Sequence, residues 1–256
     1  MSEKVLKIEH LTKTFGGVKA VNDVSFDVTR GEFLGVIGPN GSGKTTLVNL
    51  ITGFAKPNNG KVVFKDKDIT RKMSCTIANL GIVRSFQMVK PFYKLPAYKN
   101  LVVALRSPRV VKQIRGGKYY ERDDVAIDLL EDVGFERDSS VPYKLAAALP
   151  HGYLKRMELA RCMALRPEIY IFDELFSGMS LNEVASTVPI LEKLKDHGST
   201  VIIIEHRLKE LFRIADRILV MNFGQKVAEE TPETVLNNEE VKKAYLGAEI
   251  ETAARG

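Results

Sequence analysis

The residues from Gly38 to Thr46, GPNGSGKTT, have the types and spacing of a phosphate-binding loop, G-x-x-x-x-G-K-[ST]. Glycines have no Cβ, so backbone N–H groups can turn inward around phosphate oxygens. Lys44 supplies an ammonium for β- and γ-phosphates, and the Thr45 hydroxyl suits Mg²⁺. A predicted buried strand, FLGVIG, precedes the loop and a predicted helix follows it, which is the context the motif requires. The sequence therefore predicts a nucleoside triphosphate site formed by Gly38, Pro39, Asn40, Gly41, Ser42, Gly43, Lys44, Thr45 and Thr46.

Two acidic residues close a second predicted strand, IYIFDE, at Asp173 and Glu174. In open α/β sheets, ligands bind at the carboxyl ends of the strands. We therefore expect Asp173 to hold Mg²⁺ through water, and Glu174 to orient or deprotonate an attacking water molecule. The alternative is that both acids cap the following helix, but the phosphate-binding loop favours the catalytic interpretation.

Strands alternate with helices along most of the chain, a pattern typical of a mainly parallel, doubly wound sheet. The N-terminal stretches alternate apolar and polar residues and predict an added antiparallel β layer. The middle of the chain is mostly helical and predicts an inserted helical subdomain. We predict an α/β fold of the P-loop NTPase type. Residues 1–90 and 165–230 form its nucleotide-binding core, about 91–164 its helical subdomain, and 231–256 a C-terminal amphipathic helix and tail.

The composition excludes few function classes. The chain is 45% hydrophobic and 27% charged, and its net charge of +6 suits nucleotide, nucleic acid or an anionic membrane surface. The chain has no run of about eighteen apolar residues, so no transmembrane helix is predicted. The N-terminus lacks an apolar signal core, which argues against export. Cys75 and Cys162 are far apart and are expected to be reduced packing residues.

Four motifs occur in a fixed order: the phosphate-binding loop, SFQMVKPF, LPHGYLKRMELARCMALRPEIYIFDE and IIIEH. Together they resemble the nucleotide-binding subunit of an ABC transporter over nearly the whole chain. The resemblance implies that Phe15 stacks on adenine, that Gln87 touches Mg²⁺ and the attacking water, and that His206 reaches the γ-phosphate. The implied cofactors are ATP and Mg²⁺. The implied catalytic set is Lys44, Gln87, Glu174 and His206, and the implied metal-binding set is Thr45, Gln87 and Asp173.

Three further stretches, NLGIVRSFQ, ARCMALRPEI and TPETVLNNEEVKKAYLG, resemble the ATPase subunits of branched-chain (hydrophobic) amino acid importers. This implies an ATP-hydrolysing subunit at the cytoplasmic face of the membrane. Its implied partners are a second ABC ATPase subunit, integral membrane permease subunits and, indirectly, a solute-binding protein. Urea, amide and aromatic-acid importers and lipid exporters remain alternatives. A soluble, non-transport ABC ATPase fits less well, and no nucleic acid partner is expected, because the chain has neither a second cassette nor a coiled-coil insertion.

The stretch LPHGYLKR departs from the family motif L-S-G-G-Q, which binds the γ-phosphate held by the other subunit of a head-to-tail dimer. Pro150 and His151 replace its serine and first glycine, whereas Leu149 and Gly152 remain. Proline suits the first position of a helix, and the free N–H groups of a helix start attract anions. The resemblance therefore implies that Leu149, His151 and Gly152 contact the partner's nucleotide.

Two later positions also depart from the family pattern. Leu175 stands where proline is usual, and Ser180 stands where aspartate is common. Two hypotheses remain open. The chain forms an asymmetric heterodimer with one weak ATP site, or the changes are tolerated and both sites turn over ATP.

Overall fold

The computed structural model describes residues 3–86, 88–113 and 121–244. The strands are β1 (Lys4–Phe15), β2 (Val18–Thr29), β3 (Phe33–Ile37), β4 (Asn59–Phe64), β5 (Lys67–Asp68), β6 (Ile82–Arg84), β7 (Ile169–Asp173), β8 (Thr200–Ile204), β9 (Arg217–Asn222) and β10 (Gln225–Glu230). The helices are α1 (Lys44–Ile51), α2 (Ser74–Leu80), α3 (Ala97–Leu105), α4 (Pro108–Gln113), α5 (Glu121–Asp132), α6 (His151–Ala164), α7 (Leu181–Asp196), α8 (Leu208–Ile214), α9 (Pro232–Asn237) and α10 (Glu239–Ala244).

A six-stranded sheet forms the centre of the molecule, in the order β10-β9-β3-β8-β7-β6. Neighbouring strands from β9 to β6 are parallel, and β10 pairs antiparallel with β9 at the edge. Every residue of β3, β7 and β8 is buried, which explains why these strands are continuous apolar runs in the sequence. The predicted α/β fold with a mainly parallel sheet is confirmed.

The predicted N-terminal antiparallel layer is also confirmed, as a four-stranded sheet in the order β2-β1-β4-β5. Its inner apolar residues share one hydrophobic cluster with α1 and with one face of the central sheet. Arg217 on β9 joins the two layers, because its guanidinium binds both carboxylate oxygens of Glu32, at 2.6 and 3.0 Å, and the backbone oxygen of Asp27 at 2.6 Å. It also pairs with Glu229 on β10.

The middle of the chain forms the predicted helical region. Helices α3, α5 and α6 pack their apolar sides together, with Leu101, Leu130 and Met157 fully buried. Asn100 on α3 fixes the connecting segment before it, since its Oδ1 accepts from the Phe92 N–H at 2.8 Å and its Nδ2 donates to a backbone oxygen of that segment. Its side chain is completely buried, so these hydrogen bonds replace water.

The predicted single helix at the C-terminus is wrong, because two short helices, α9 and α10, occupy this stretch. Asn238 between them has an extended backbone with ψ of 117°. Its side-chain oxygen accepts from the Glu240 N–H at 2.9 Å and from the Val241 N–H at 3.3 Å, so it starts a new helix. The remainder of the predicted tail, 245–256, lies outside the described residues. Within the described ranges, no helix has the length and apolar character needed to cross a membrane.

We expect Arg217→Met to lower the free energy of unfolding by about 2 kcal/mol, because the largely buried Glu32 carboxylate would lose its partner. Urea denaturation measures this loss. Arg137→Met is the matched control, since Arg137 pairs with Asp128 and Glu131 in solvent and should leave the unfolding midpoint unchanged. Equal losses in the two variants would show that Arg217 does not join the layers.

Candidate active site

The phosphate-binding loop connects the end of β3 to the start of α1, as predicted. Two of its glycines lie against backbone oxygens of other strands. A Cβ on Gly38 would lie 2.2 Å from the oxygen of Met221, and one on Gly43 would lie 2.2 Å from the oxygen of Ala20. Gly41 has open space around it. Its left-handed backbone, with φ of 79°, favours glycine at this position. Strands β2 and β9 therefore fix the loop, and larger residues at Gly38 and Gly43 would displace it.

The Ser42 side chain supports the interpretation that this loop binds phosphate. Ser42 is 2% exposed, and its hydroxyl oxygen has no hydrogen-bond partner among the described residues. Its backbone oxygen accepts from the Gly224 N–H at 3.0 Å, which ties the β9–β10 turn to the loop. A buried hydroxyl usually has a partner, and a phosphate oxygen would supply one.

Lys44 lies at the first position of α1 and is 6% exposed. Its ammonium donates to the backbone oxygens of Gly38 at 2.7 Å and Pro39 at 3.1 Å, so the side chain folds over the loop. Burial lowers the pKa of Lys44, and the negative charges of Glu174 and Asp173 oppose this effect. The site thus holds a poorly hydrated cation close to two carboxylates, an arrangement suited to a magnesium-bound polyphosphate.

The other loop residues lie at the surface of the site. Thr45, Asn40 and Gly41 are exposed, whereas Thr46 and Pro39 are half-buried. The Thr45 hydroxyl is therefore open to a metal ion or to solvent.

Asp173 ends β7 and is 2% exposed. Its Oδ2 atom lies 2.5 Å from Nη2 of Arg84, which ends the neighbouring strand β6. Its backbone N–H faces the Ser85 hydroxyl at 3.3 Å. The sequence did not predict a role for Arg84, because a basic residue at the end of a short apolar strand indicates no partner until the strand order is known.

Glu174 and His206 come together across 32 positions of sequence, with 3.3 Å between Oε1 of the glutamate and Nε2 of the histidine. Glu174 adopts a left-handed backbone with φ of 52°, an unusual conformation for this residue type. Its N–H donates to the oxygen of Ile204 at 2.9 Å, which holds it at the end of β8. The predicted pair of catalytic side chains thus lies at the carboxyl edge of the sheet.

The sequence also did not predict roles for two buried ionisable residues behind this pair, Glu205 and Lys155. Glu205 is 3% exposed, and its carboxylate accepts from the N–H of Phe176 at 2.7 Å and of His206 at 3.2 Å. Burial raises the pKa of Glu205 to about 7. The ammonium of Lys155 on α6 donates to the backbone oxygen of Glu174 at 3.3 Å, and burial lowers the pKa of Lys155. These contacts fix the backbone of Glu174 and His206.

Phe15 ends β1 with 53% of its surface exposed, and the ammonium of Lys13 lies 5.0 Å from its ring centroid. An exposed ring at this strand end is compatible with stacking on a base. Gln87, the remaining predicted catalytic and metal-binding residue, lies outside the described residues.

The start of α6 differs from the expectation in one detail, since Pro150 lies at the N-cap and His151 takes the first helical position. A shift of one residue is within the usual variation of helix boundaries. Leu149 is 7% exposed and packs into the core, so only its backbone can face a nucleotide. His151 is exposed, and Gly152 is buried.

Gly152 lies against the beginning of α7. A Cβ at this position would lie 1.8 Å from Oε1 of Glu183. The same carboxylate accepts from the Ser180 N–H at 2.8 Å, and the Ser180 hydroxyl accepts from the Glu183 N–H at 3.3 Å. Ser180 therefore caps α7, a function that serine and aspartate share, which gives a physical reason for the departure at this position.

We expect wild-type stability, measured relative to Glu205→Gln, to fall as the pH rises. Folding raises the pKa of Glu205 from its ordinary 4.5 to about 7, so the folded state binds this proton more tightly. The contribution of this bound proton to the free energy of unfolding is complete below about pH 4.5 and is lost as the pH rises through about 7. Urea denaturation from pH 5 to 8 should show the wild type losing roughly 2–3 kcal/mol relative to the variant. Parallel curves would contradict this account.

We expect Gly152→Ala to destabilise the protein by about 1–2 kcal/mol, although alanine favours helices, because the new Cβ would displace Glu183 from its cap. A double-mutant cycle with Glu183→Ala isolates the contact. The cost of Gly152→Ala should disappear in the Glu183→Ala background. An unchanged cost there would exclude the contact as its cause.

Known proteins resemble this chain over nearly its full length. The ABC transporter family profile matches residues 21–177. The high-affinity branched-chain amino acid transport ATP-binding protein LivG of Escherichia coli K12 is 35% identical over 96% of this chain and 99% of its own length. The corresponding protein BraF of Pseudomonas aeruginosa is 36% identical, with the same shares covered. The crystal structure of MJ1267, an ATP-binding cassette of an ABC transporter, in its ADP conformation is 33% identical with a TM-score of 0.83, covering 96% of this chain and 100% of its own.

The family match, the relatives and the arrangement of loop, acids and histidine agree with one another. The chain therefore belongs to the ABC transporter family, as an ATP-binding cassette with ATPase activity.

Proposed function

We propose that this chain powers the uptake of branched-chain or other hydrophobic amino acids, as the ATP-hydrolysing subunit of an importer at the cytoplasmic face of the membrane. The observation that carries the hydrolytic part is the contact between Glu174 and His206 beside Lys44 and the phosphate-binding loop. The choice of solute is supported by the names of the relatives LivG and BraF. The solute itself would bind other subunits.

ATP binding is assigned to three parts of the site. The N–H groups of the loop and the ammonium of Lys44 hold the β- and γ-phosphates. Phe15 provides a ring on which adenine stacks. The Thr45 hydroxyl, Asp173 and Gln87 would hold Mg²⁺, which would neutralise charge on the phosphate oxygens when bound.

Hydrolysis is assigned to Glu174 and His206. Glu174 accepts a proton from the attacking water and orients it toward the γ-phosphate. His206 donates a hydrogen bond to a γ-phosphate oxygen, and its ring lies beside Glu174, with 3.3 Å between Nε2 and Oε1. Glu205 and Lys155 hold the backbone that carries both groups. Glu174 and His206 both follow buried strands, β7 and β8, which favours a fixed geometry during turnover.

A second cassette would complete the site. In this arrangement the start of α6, from Leu149 to Gly152, faces the γ-phosphate on the partner and offers backbone N–H groups. The carboxylate of Glu183 lies beside Gly152, and hydrogen bonds from Ser180 lower its pKa. A negative charge next to an anion site weakens it, which supports the hypothesis of an asymmetric heterodimer with one weak site. A homodimer with two active sites is the competing arrangement.

A membrane subunit needs an apolar surface on the cassette. The described residues form a groove of about 280 Å³ between α2, β6 and the end of α6. Phe54 and Phe86 are 54% and 41% exposed and line it together with Cys75 and Ala78. We assign this groove to a cytoplasmic segment of the permease, since exposed apolar surface of this kind marks an interaction site.

We expect Glu174→Gln to reduce the ATP hydrolysis rate by about a thousandfold while ATP binding remains, because only the proton acceptor is lost. Glu192→Gln is the matched control on the surface of α7, where Glu192 pairs with Arg213. The assay is phosphate release by the purified chain, alone and with permease subunits in lipid vesicles. A wild-type rate in Glu174→Gln would contradict the assignment, and vesicles that accumulate urea instead of leucine would correct the solute.

A further inference from the structure

Among the described residues, Arg84 is the one cation that forms an ion pair with Asp173. Only 9% of the Arg84 side chain and 3% of the Asp173 side chain are exposed. One terminal nitrogen of the guanidinium lies 2.5 Å from Oδ2 of Asp173, and the other lies 2.5 Å from the side-chain oxygen of Asn49 on α1. The pair spans 89 positions of sequence, so the fold alone creates it.

The other side of the same guanidinium faces two aromatic rings. Its central carbon lies 5.9 Å from the ring centroid of Phe54 and 5.6 Å from that of Phe86. The rings contact each other nearly at right angles, with centroids 5.6 Å apart. Both line the apolar groove described above, so Arg84 lies between the groove and Asp173.

This geometry restricts the orientation of the Asp173 carboxylate. Arginine is planar and always charged, and it holds a carboxylate in a fixed direction. Arg84 donates its hydrogen bond to Oδ2 of Asp173 and makes none to Oδ1. In metal sites, the partner of a ligating carboxylate sets its direction and hence the metal affinity.

We propose that Arg84 is a positioning residue, which orients Asp173 for Mg²⁺ and is itself held by the aromatic wall of the groove. A segment docked in the groove would press on Phe54 and Phe86, and through Arg84 on the metal-binding carboxylate. This inference rests on the proposed function, because it assumes that Asp173 holds Mg²⁺.

The test compares wild type with Arg84→Lys and Phe54→Leu. Lysine keeps the charge but loses the planar contacts, and leucine keeps the apolar wall but loses the ring. Arg217→Lys is the matched control, since Arg217 also pairs with a largely buried carboxylate, Glu32, away from the metal-binding residues. The readout is the affinity for a fluorescent ATP analogue in Mg²⁺ and in EDTA, together with the Mg²⁺ concentration at half-maximal hydrolysis.

Arg84→Lys should bind the analogue like the wild type in EDTA, because the phosphate-binding loop is intact. Its gain in affinity on adding Mg²⁺ should shrink, and its half-maximal Mg²⁺ concentration should rise about tenfold. Phe54→Leu should shift the Mg²⁺ dependence in the same direction by a smaller factor. Arg217→Lys should leave it unchanged.

An unchanged Mg²⁺ dependence in Arg84→Lys would overturn the proposal. If Arg84→Lys does not fold, Phe54→Leu, which keeps the ion pair, decides in its place. A shift in Arg84→Lys without one in Phe54→Leu would overturn the link to the groove. Failure of the proposed function is distinct from these results, since the wild type itself would then not bind the analogue or would bind it equally with and without Mg²⁺.

Discussion

The burial of three adjacent parallel strands is the constraint on which the site depends. Strands β3, β8 and β7 are buried at every residue and pair in register, so their carboxyl ends lie at one edge. The phosphate-binding loop follows β3, Asp173 ends β7 with Glu174 next to it, and His206 follows β8. Because hydrophobic burial fixes the strands, it also fixes the distances between groups that are far apart in sequence.

The charged groups at this edge are held by contacts that the sheet supplies. Arg84, at the end of β6, reaches the carboxylate of Asp173 on β7, and Glu205, which follows β8, reaches the N–H of Phe176 in the turn after β7. Lys155 reaches the same edge from α6. Glu205, Lys155 and the Asp173 partner of Arg84 are each buried, so losing one of these contacts would leave an unpaired group in a medium of low polarity. Glu174 and His206 therefore take their positions from a surrounding set of polar contacts as well as from the strands.

The sequence predicted the parts of the site that local chemistry determines. The glycine spacing of the loop, the apolar run before Asp173, and the alternation of strands and helices each carry their own signal, whereas His206 was predicted only through the resemblance to the family. It did not predict Arg84, Glu205 or Lys155, because their roles depend on strand order and on packing between distant segments. The break of the C-terminal helix at Asn238 was also missed, since a helical apolar pattern continues across it while the side chain caps a new helix.

We infer that this edge recognises the phosphates of a nucleotide more than its base. The decisive measurement is calorimetric titration of the purified chain with ATP, ADP and AMP in Mg²⁺. We expect ATP and ADP to bind, since both reach the loop and Lys44. AMP lacks the phosphates that reach them and loses their charge-assisted hydrogen bonds, so it should bind about a hundredfold more weakly. AMP binding as tightly as ATP would contradict it.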